Sequence, residues 1–321
     1  MGSYGYDGSM IWANVEVTNN EANAENVSNG SYAIGVGVSL SSVELWGSEV
    51  EITRNVSSRG SVGPIYMTGQ GAGLAADAGS LVLSDANVSE NQFTFSSVND
   101  SAFGGGAYLS DVEADFTRVI FGGNDIGGGT AAGAAMYAYG TFILDFANLL
   151  VLDNDASSIT SGYGSLALAG AGTASITNAD FYQNTVSGGV GAYGGAAYVG
   201  PGTTLNLDST TLMSNSCAGT ATPACGGAIY LDGTSSIGSD AYTNYYGNSP
   251  GDIGGIVSMN GRTGNFVGNP LYTSGGGTDY SAWDLSVATG SPCINAGNPS
   301  ILDVDGSRAD VGAYGGQSAT W

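Results

Sequence analysis

The segment Val151-Leu152-Asp153-Asn154 is one copy of a short pattern, in which an apolar residue and two variable residues precede an asparagine. The asparagines of successive copies are 35, 36, 33, 30, 30, 31 and 33 residues apart. A period in this range is typical of a solenoid, whose units cannot fold alone and stack to bury a core. The copies are Val17–Asn20, Ile52–Asn55, Val88–Asn91, Phe121–Asn124, Val151–Asn154, Phe181–Asn184, Leu212–Asn215 and Tyr245–Asn248.

Between the asparagines, apolar and polar residues alternate in short runs bounded by Gly and Ser, a pattern that indicates strands. Thr203–Leu207, for example, follows a turn at Gly200–Gly202. Three short strands per repeat predict an all-β fold, a single parallel β-helix of about eight or more rungs. A right-handed sense is expected because strand crossovers favour it. We expect residues 1–260 to form the repeats, and residues 261–321 to form closing rungs and a cap on the same solenoid.

The repeated asparagines are interpreted as structural. Asparagine tolerates the left-handed backbone conformation of a tight corner and can bond its own backbone. Stacked from rung to rung, the side chains would hydrogen-bond along the helix axis. The predicted ladder consists of Asn20, Asn55, Asn91, Asn124, Asn154, Asn184, Asn215 and Asn248.

Composition excludes several classes of partner. The chain has 321 residues, a formal net charge of −23, five basic residues that are all arginine, and no histidine. Such a surface repels nucleic acid and anionic lipid. No run of eighteen apolar residues occurs, so no direct membrane insertion is predicted. No phosphate-loop pattern indicates a bound nucleotide, and the lack of imidazole argues against zinc.

The three cysteines suggest an oxidising compartment. Cys217 and Cys225 bracket a short segment between an Asn corner and the next strand, where a disulfide would staple a protruding loop. Two free thiols are the alternative. Cys293 has no partner left and is expected to be a buried thiol.

Further motifs carry a resemblance to a known family. The GGAI sequence at Gly226–Ile229 and the Phe-x-x-Asn copies at Phe121–Asn124 and Phe181–Asn184 resemble the paired repeat of polymorphic outer-membrane proteins and related bacterial β-helix surface proteins. Gly268–Pro299 and Asp303–Gly316 are similar to the closing segment of secreted right-handed β-helix proteins. The resemblance implies the fold and an exported protein at the bacterial cell surface or outside the cell. It implies no particular activity.

The residues give little support to catalysis, and none is predicted to be catalytic. A lyase acting on uronates needs a base, usually Arg or Lys, and cations that neutralise the substrate; here the arginines are scattered over different rungs. Carboxylates do align at Asp145, Asp153, Asp155 and Asp180. Two interpretations stay open, a solvated acidic face or a glycoside hydrolase that acts on a neutral glycan.

The segment Asp303-Val-Asp305-Gly-Ser-Arg-Ala-Asp310 is the predicted metal site. Asp at alternating positions followed by Gly lets a loop wrap oxygen ligands around Ca²⁺. The twelfth-position Glu of an EF-hand is absent, so a second interpretation stands beside the first. In it the segment is a cap, Arg308 pairs with these aspartates, and Gly306 makes a turn.

Aromatic residues between each Asn corner and the next strand are the predicted contact residues, namely Phe93, Phe95, Phe103, Tyr163 and Tyr193. Exposed aromatics on a rigid support stack on sugars or bind proteins. Tyr108, Tyr198 and Tyr230 lie in strands and are expected to pack. The sequence thus predicts a non-enzymatic extracellular adhesin, stalk or subunit of a surface assembly, which binds a surface protein or glycan or other copies of itself. The alternative is a glycan-binding or glycan-cleaving β-helix.

Overall fold

The computed structural model describes residues 4–24, 31–59, 66–219, 225–255 and 262–321. The strands are β1 (Tyr4–Thr18), β2 (Glu21–Ala24), β3 (Ser31–Ile34), β4 (Val38–Thr53), β5 (Val56–Arg59), β6 (Met67–Gln70), β7 (Leu74–Ser89), β8 (Gln92–Thr94), β9 (Ser101–Phe103), β10 (Ala107–Gly122), β11 (Asp125–Ala132), β12 (Met136–Leu152), β13 (Asp155–Tyr163), β14 (Leu166–Tyr182), β15 (Thr185–Gly188), β16 (Gly191–Tyr193), β17 (Ala197–Val199), β18 (Thr204–Asp208), β19 (Thr211–Met213), β20 (Ser216–Gly219), β21 (Ile229–Leu231), β22 (Ser236–Ala241), β23 (Asn244–Tyr246) and β24 (Ile253–Gly255). A single 3₁₀ turn spans Tyr280–Ala282.

The strands form a parallel β-solenoid, as the repeat predicted, and it has about seven turns where about eight or more rungs were expected. One sheet stacks β1, β4, β7, β10, β12 and β14 in order and continues through shorter strands, and a second sheet stacks β2, β5, β8, β11, β13, β15 and β20. Within the described ranges, all pairings between named strands are parallel. We number the rungs by their ladder asparagine, from Asn20 in rung one to Asn248 in rung eight.

Each long strand bends around the solenoid at residues with a left-handed backbone. In β12 these are Gly140, at φ 77°, and Asn148, at φ 55°. Alternate side chains between the bends point inwards, so that Phe116, Phe142 and Phe146 are almost completely buried in the main core. A smaller core, which includes Phe93 and Ile126, lies beneath the second sheet.

The eight repeated asparagines form a continuous ladder of hydrogen bonds. The side-chain amide of each asparagine donates to Oδ1 of the next one along the axis, at 2.7 to 3.1 Å. From Asn55 onwards the amide also donates to the carbonyl of the apolar residue that opens the motif on an earlier rung, as Asn154 does to Phe121 at 2.9 Å. The ladder therefore links every pair of neighbouring rungs from one to eight.

The expectation that these asparagines occupy the left-handed corner was wrong. The residue with positive φ is the one before each of them, for example Asp153 at 51° and Gln183 at 60°. Asp153 and Gln183 are exposed, whereas Asn154 and Asn184 are completely buried. The preceding residue makes the turn, and the asparagine beyond it can then point inwards to its ladder partners.

The C-terminal segment lies along the side of the solenoid. Residues 262–268 add isolated parallel bridges to rung eight, at Ala241–Thr263 and Asn244–Phe266. Residues 269–321, here called the strap, then run back over the outer surface of β10, β12 and β14. Tyr280, Trp283 and Leu285 of the strap bury Leu150 and Leu152 of β12.

Asp303–Gly316, predicted to cap the C-terminal end, belongs to this strap and contacts the side of rungs five to seven. Asn148 donates to the carbonyl of Ala313, and the carboxylate of Asp180 accepts the backbone N–H of the same residue. The physical reason is that Leu150 and Leu152 point outwards from β12 and need an apolar cover, which a cap on the end would not supply.

Candidate functional site

A row of aromatic side chains on the outer surface is the most distinctive feature of the described part of the solenoid. The rings flank the Gly-rich corner at which one turn ends and the next begins. We call this set the aromatic stripe. It consists of Phe103, Tyr108, Tyr137, Tyr139, Tyr163, Tyr193, Tyr198 and Tyr230.

The rings contact one another from rung to rung in two groups. In the first, Tyr137 lies 4.9 Å from Phe103 and 5.7 Å from Tyr108, measured between ring centroids. In the second, Tyr193 lies 5.1 Å from Tyr163 and 4.9 Å from Tyr230. Such pairs contribute about 0.5–1.5 kcal/mol each beyond area burial. The stripe is therefore a pre-formed surface, in which the rings hold each other's orientation.

The corner between the two sides of the stripe is built by glycine. Gly194 has φ 69°, and a side chain on Gly195 would lie 2.2 Å from the carbonyl oxygen of Gly227 on the next rung. Only glycine permits this approach between rungs. The last residue of one turn, such as Tyr193, and the second residue of the next strand, such as Tyr198, then project on either side of the corner.

Carboxylates border the stripe and shape its chemistry. Tyr198 donates its hydroxyl to Asp232 at 2.8 Å. Burial, and then this carboxylate, raise the pKa of Tyr198; burial, and then the charge of Asp77, raise that of Tyr108. Tyr108 and Tyr198 therefore stay protonated at neutral pH, so each offers a ring and a hydroxyl group beside a carboxylate. These carboxylates give the border of the stripe a negative potential.

The predicted contact residues divide into two sets. The prediction was wrong for Phe93 and Phe95, because both side chains are buried in the smaller core. Phe103, Tyr163 and Tyr193 lie in the aromatic stripe. The expected packing is confirmed for Tyr198, which is 8% exposed and contacts Tyr163 and Tyr230. Sequence reasoning missed that Tyr108, Tyr198 and Tyr230 stack with the predicted contact residues in one row. The signal was a tyrosine that follows the Gly- and Ala-rich corner in several repeats, as in Gly226-Gly-Ala-Ile-Tyr230.

The predicted disulfide between Cys217 and Cys225 is confirmed, with 6.0 Å between the two Cα atoms. Both cysteines are buried in the smaller core. Residues 220–224, which they bracket, lie outside the described residues. Cys293 is a free, buried thiol as expected, and burial raises its pKa to about 12.

The aspartates of the predicted calcium loop already accept hydrogen bonds from other residues of the strap. Asp303 accepts the backbone N–H of Gly316 at 2.6 Å, and Asp310 accepts that of Asn295 at 2.7 Å. Asp305 accepts both the N–H and the hydroxyl of Ser307, which lowers its pKa. Among the described residues, no group of three potential ligands is arranged to hold a metal ion. Calcium binding stays a prediction.

The cap interpretation of this segment holds in one detail and fails in another. Gly306 does make a turn, with φ 83°. Arg308 does not pair with the aspartates as expected, because its guanidinium donates to the carbonyls of Gly297 and Ala296.

The four aligned carboxylates do not form one site. Asp145 is exposed on the central part of β12, and Asp180 is buried beneath the strap. Asp153 accepts the hydroxyl of Tyr280 at 3.0 Å. Asp155 instead pairs in register with Asp125 of the neighbouring rung. Burial, followed by the charges of Asp125 and Asp153, raises the pKa of Asp155 to about 6.

Comparisons of the chain with protein-family models, with curated proteins and with solved structures found no match. The similarity to polymorphic outer-membrane proteins is therefore carried by the short motifs alone. Among the residues that the structure describes, no helix has the length and apolar character needed to cross a membrane.

Proposed function

We propose that this chain is a non-enzymatic extracellular β-helix, displayed at a bacterial cell surface, that contacts its partner through the aromatic stripe. The observation that carries the proposal is the stripe itself, a row of aromatic rings on neighbouring rungs, most of which are partly exposed. Aromatic residues dominate the energetics of protein contact surfaces because they bury a large area with few rotatable bonds.

Two further observations support display as the mechanism. The asparagine ladder and the stacked strands make a stiff scaffold, so the rings are held in place before a partner arrives. Preorganisation of this kind reduces the entropy that binding would otherwise cost. The disulfide between Cys217 and Cys225 suits an oxidising extracellular compartment, and the motif resemblance points to the same destination.

The test is an attachment assay with matched variants. Beads coated with the wild-type protein are expected to attach to bacterial or eukaryotic cell layers. A Tyr139→Ser, Tyr193→Ser double variant should attach much less, because it removes one exposed ring and one that contacts three others. Trp46→Ser is the control, since Trp46 is 43% exposed on a different strand face and Tyr139 is 52% exposed.

Equal attachment of the double variant and the wild type would refute the role of the stripe. The same is true if Trp46→Ser loses as much attachment as the double variant. Light scattering of the purified protein separates display from assembly. Defined oligomers or polymers that disappear in the double variant would make the stripe a self-association surface and the chain a subunit of an assembly.

A second candidate function, cleavage of a neutral glycan, is favoured by the pairing of Asp125 with Asp155. Neighbouring rungs lie about 4.8 Å apart, close to the ~5 Å between the two carboxyl groups of a retaining glycosidase. The raised pKa of Asp155 suits a proton donor. Release of reducing ends from neutral polysaccharides by the wild type, but not by Asp155→Asn, would support this function. No release by the wild type would exclude it for the polysaccharides tested.

A further inference from the structure

The strap is held by a column of corner side chains that follow one another along the axis. On rung six, Asn178 donates to the carbonyl of Asp310 at 3.1 Å. On rung five, Asn148 donates to the carbonyls of Ala313 and Gly315 at 2.8 and 2.7 Å. On rung four, Arg118 donates to the carbonyl of Ser318 at 3.1 Å. The strap thus descends from rung six to rung four as a polypeptide whose backbone is bound by one corner residue per rung.

The same column continues into rungs one to three, where the described strap does not cover it. There the corner residues are Asn14, Glu49 and Asp85, each with a left-handed backbone like Asn148 and Asn178. Together with Glu16, Glu51 and Asn87 they line a groove of about 460 Å³. A second groove of about 440 Å³ adjoins it and is walled by strap residues around Tyr280. The groove continues the line along which the corner residues of rungs four to six contact the strap. It is lined by the equivalent positions of rungs one to three.

The charge of the groove differs from that of the surface beneath the strap in rungs four to six. Glu16, Glu49 and Glu51 are exposed carboxylates, and the carboxylate of Asp85 already pairs with Arg118 of rung four. The corner residues of rungs four to six are Arg118 and two asparagines. Of the corner residues in rungs one to three, Asn14 carries the side-chain amide that binds the strap backbone on rungs five and six, while Glu49, with Glu16 and Glu51, attracts positive charge.

A second copy of this chain is poorly suited to supply that charge. Its only basic residues are five arginines, and each already has a partner within the described residues. Arg54, Arg59, Arg118 and Arg262 contact carboxylates, and Arg308 binds carbonyls. The described residues of this chain therefore offer no cation without a partner to the groove.

We propose that the groove of rungs one to three binds an extended segment of a partner protein that is rich in Lys or Arg, laid across the rungs as the strap is. Three rungs about 4.8 Å apart correspond to about four extended residues at ~3.3 Å each. Asn14 would donate to a backbone carbonyl of this segment, as Asn148 does to the strap, and the basic side chains of the segment would pair with Glu16, Glu49 and Glu51. This surface is separate from the aromatic stripe and does not depend on the function proposed for it.

The probe is fluorescein-labelled hexalysine, titrated with the protein at low salt and followed by fluorescence anisotropy. The wild type is expected to bind, and the affinity should fall as salt rises. The Glu16→Gln, Glu49→Gln, Glu51→Gln triple variant should bind roughly tenfold more weakly, at the typical strength of three exposed ion pairs. The melting temperatures of this variant and of the control variant described next check that both fold.

A variant of equal charge, Glu113→Gln, Asp115→Asn, Asp145→Asn, is the matched control. The three carboxylates that it removes are exposed on the central segments of β10 and β12. Because salt screens charges at a distance from the groove, the affinity of this variant for hexalysine should stay within about twofold of that of the wild type. Equal losses in the two variants would overturn the proposal, because binding would then reflect net charge alone. Absence of hexalysine binding would also overturn it, as would spermidine binding with the same dependence on Glu16, Glu49 and Glu51, which would make the groove a site for any polycation.

Discussion

Replacing one interior ladder asparagine should be among the most damaging single substitutions in the described core. Asn154 donates to Asn184 Oδ1 and to the carbonyl of Phe121, each at 2.9 Å. It accepts from the side-chain amide and the backbone N–H of Asn124, at 2.9 and 3.1 Å. Asn154→Ala therefore removes the partner of two or three buried polar groups. At ~1–3 kcal/mol for each group, the free energy of unfolding should fall by about 4 kcal/mol.

The measurement is urea denaturation followed by far-UV circular dichroism, with two comparison variants. Asn20→Ala, at the partly exposed first position of the ladder, should cost only about 1 kcal/mol because water replaces the lost bonds. Asn154→Asp keeps the acceptor but loses the donor, and its buried charge should make it less damaging at pH 4 than at pH 7. The reasoning is refuted if Asn154→Ala costs less than about 1 kcal/mol, the value for a solvated bond, or if Asn20→Ala is equally destabilising.

Three other predictions concern the strap. Burial raises the pKa of Asp180 to about 7, against opposing bonds from Tyr272 and the Ala313 amide, so the folded state holds this proton more tightly than the unfolded chain. Its contribution to stability is full below about pH 4 and is lost as pH rises through 7; a wild-type melting temperature that falls no more steeply than that of Asp180→Asn from pH 5 to 8 would contradict this. Asp303→Ala should lower the melting temperature equally in Ca²⁺ and in chelator, because its carboxylate binds backbone N–H groups; a loss only in Ca²⁺ would favour the metal. Leu152→Ala should cost about 2–5 kcal/mol by chemical denaturation, as a fully buried leucine does, and a cost near zero would show that the strap does not pack there.

The fold could be predicted from the sequence because the ladder forces its motif to recur in every turn. An asparagine at each inner corner must meet another asparagine on the next rung, and the apolar residue three positions earlier must reach the core. The left-handed residue was misassigned because its identity is free: Asp153, Gln183 and Gly123 all serve. A corner that accepts so many residue types leaves no pattern at that position, although the asparagine after it does not vary.

The aromatic surface could be predicted only in part, for a different physical reason. Inward and outward side chains alternate along a strand, so one residue of uncertainty in register exchanges core for surface. Phe93 lies on β8 and points inwards, whereas Phe103 at the end of β9 flanks the corner. Both follow an Asn corner, and only the paired registers separate them. The strap was harder still, since its cover over Leu150 and Leu152 joins residues more than a hundred positions apart.

The acidic groove is explained by how the outward positions of the solenoid are used. Outward apolar residues on rungs four and five, such as Ile120 and Leu150, are covered by the strap and contribute to stability. The equivalent positions on rungs one to three are Glu16, Glu51 and Asn87, which gain nothing from an apolar cover. A chain selected only for a continuous strap would place apolar residues there as well. At these stacked positions the outward residue changes from isoleucine or leucine to glutamate or asparagine, although every rung repeats the same corner. This change is the physical basis for assigning the groove to a basic partner and not to the fold.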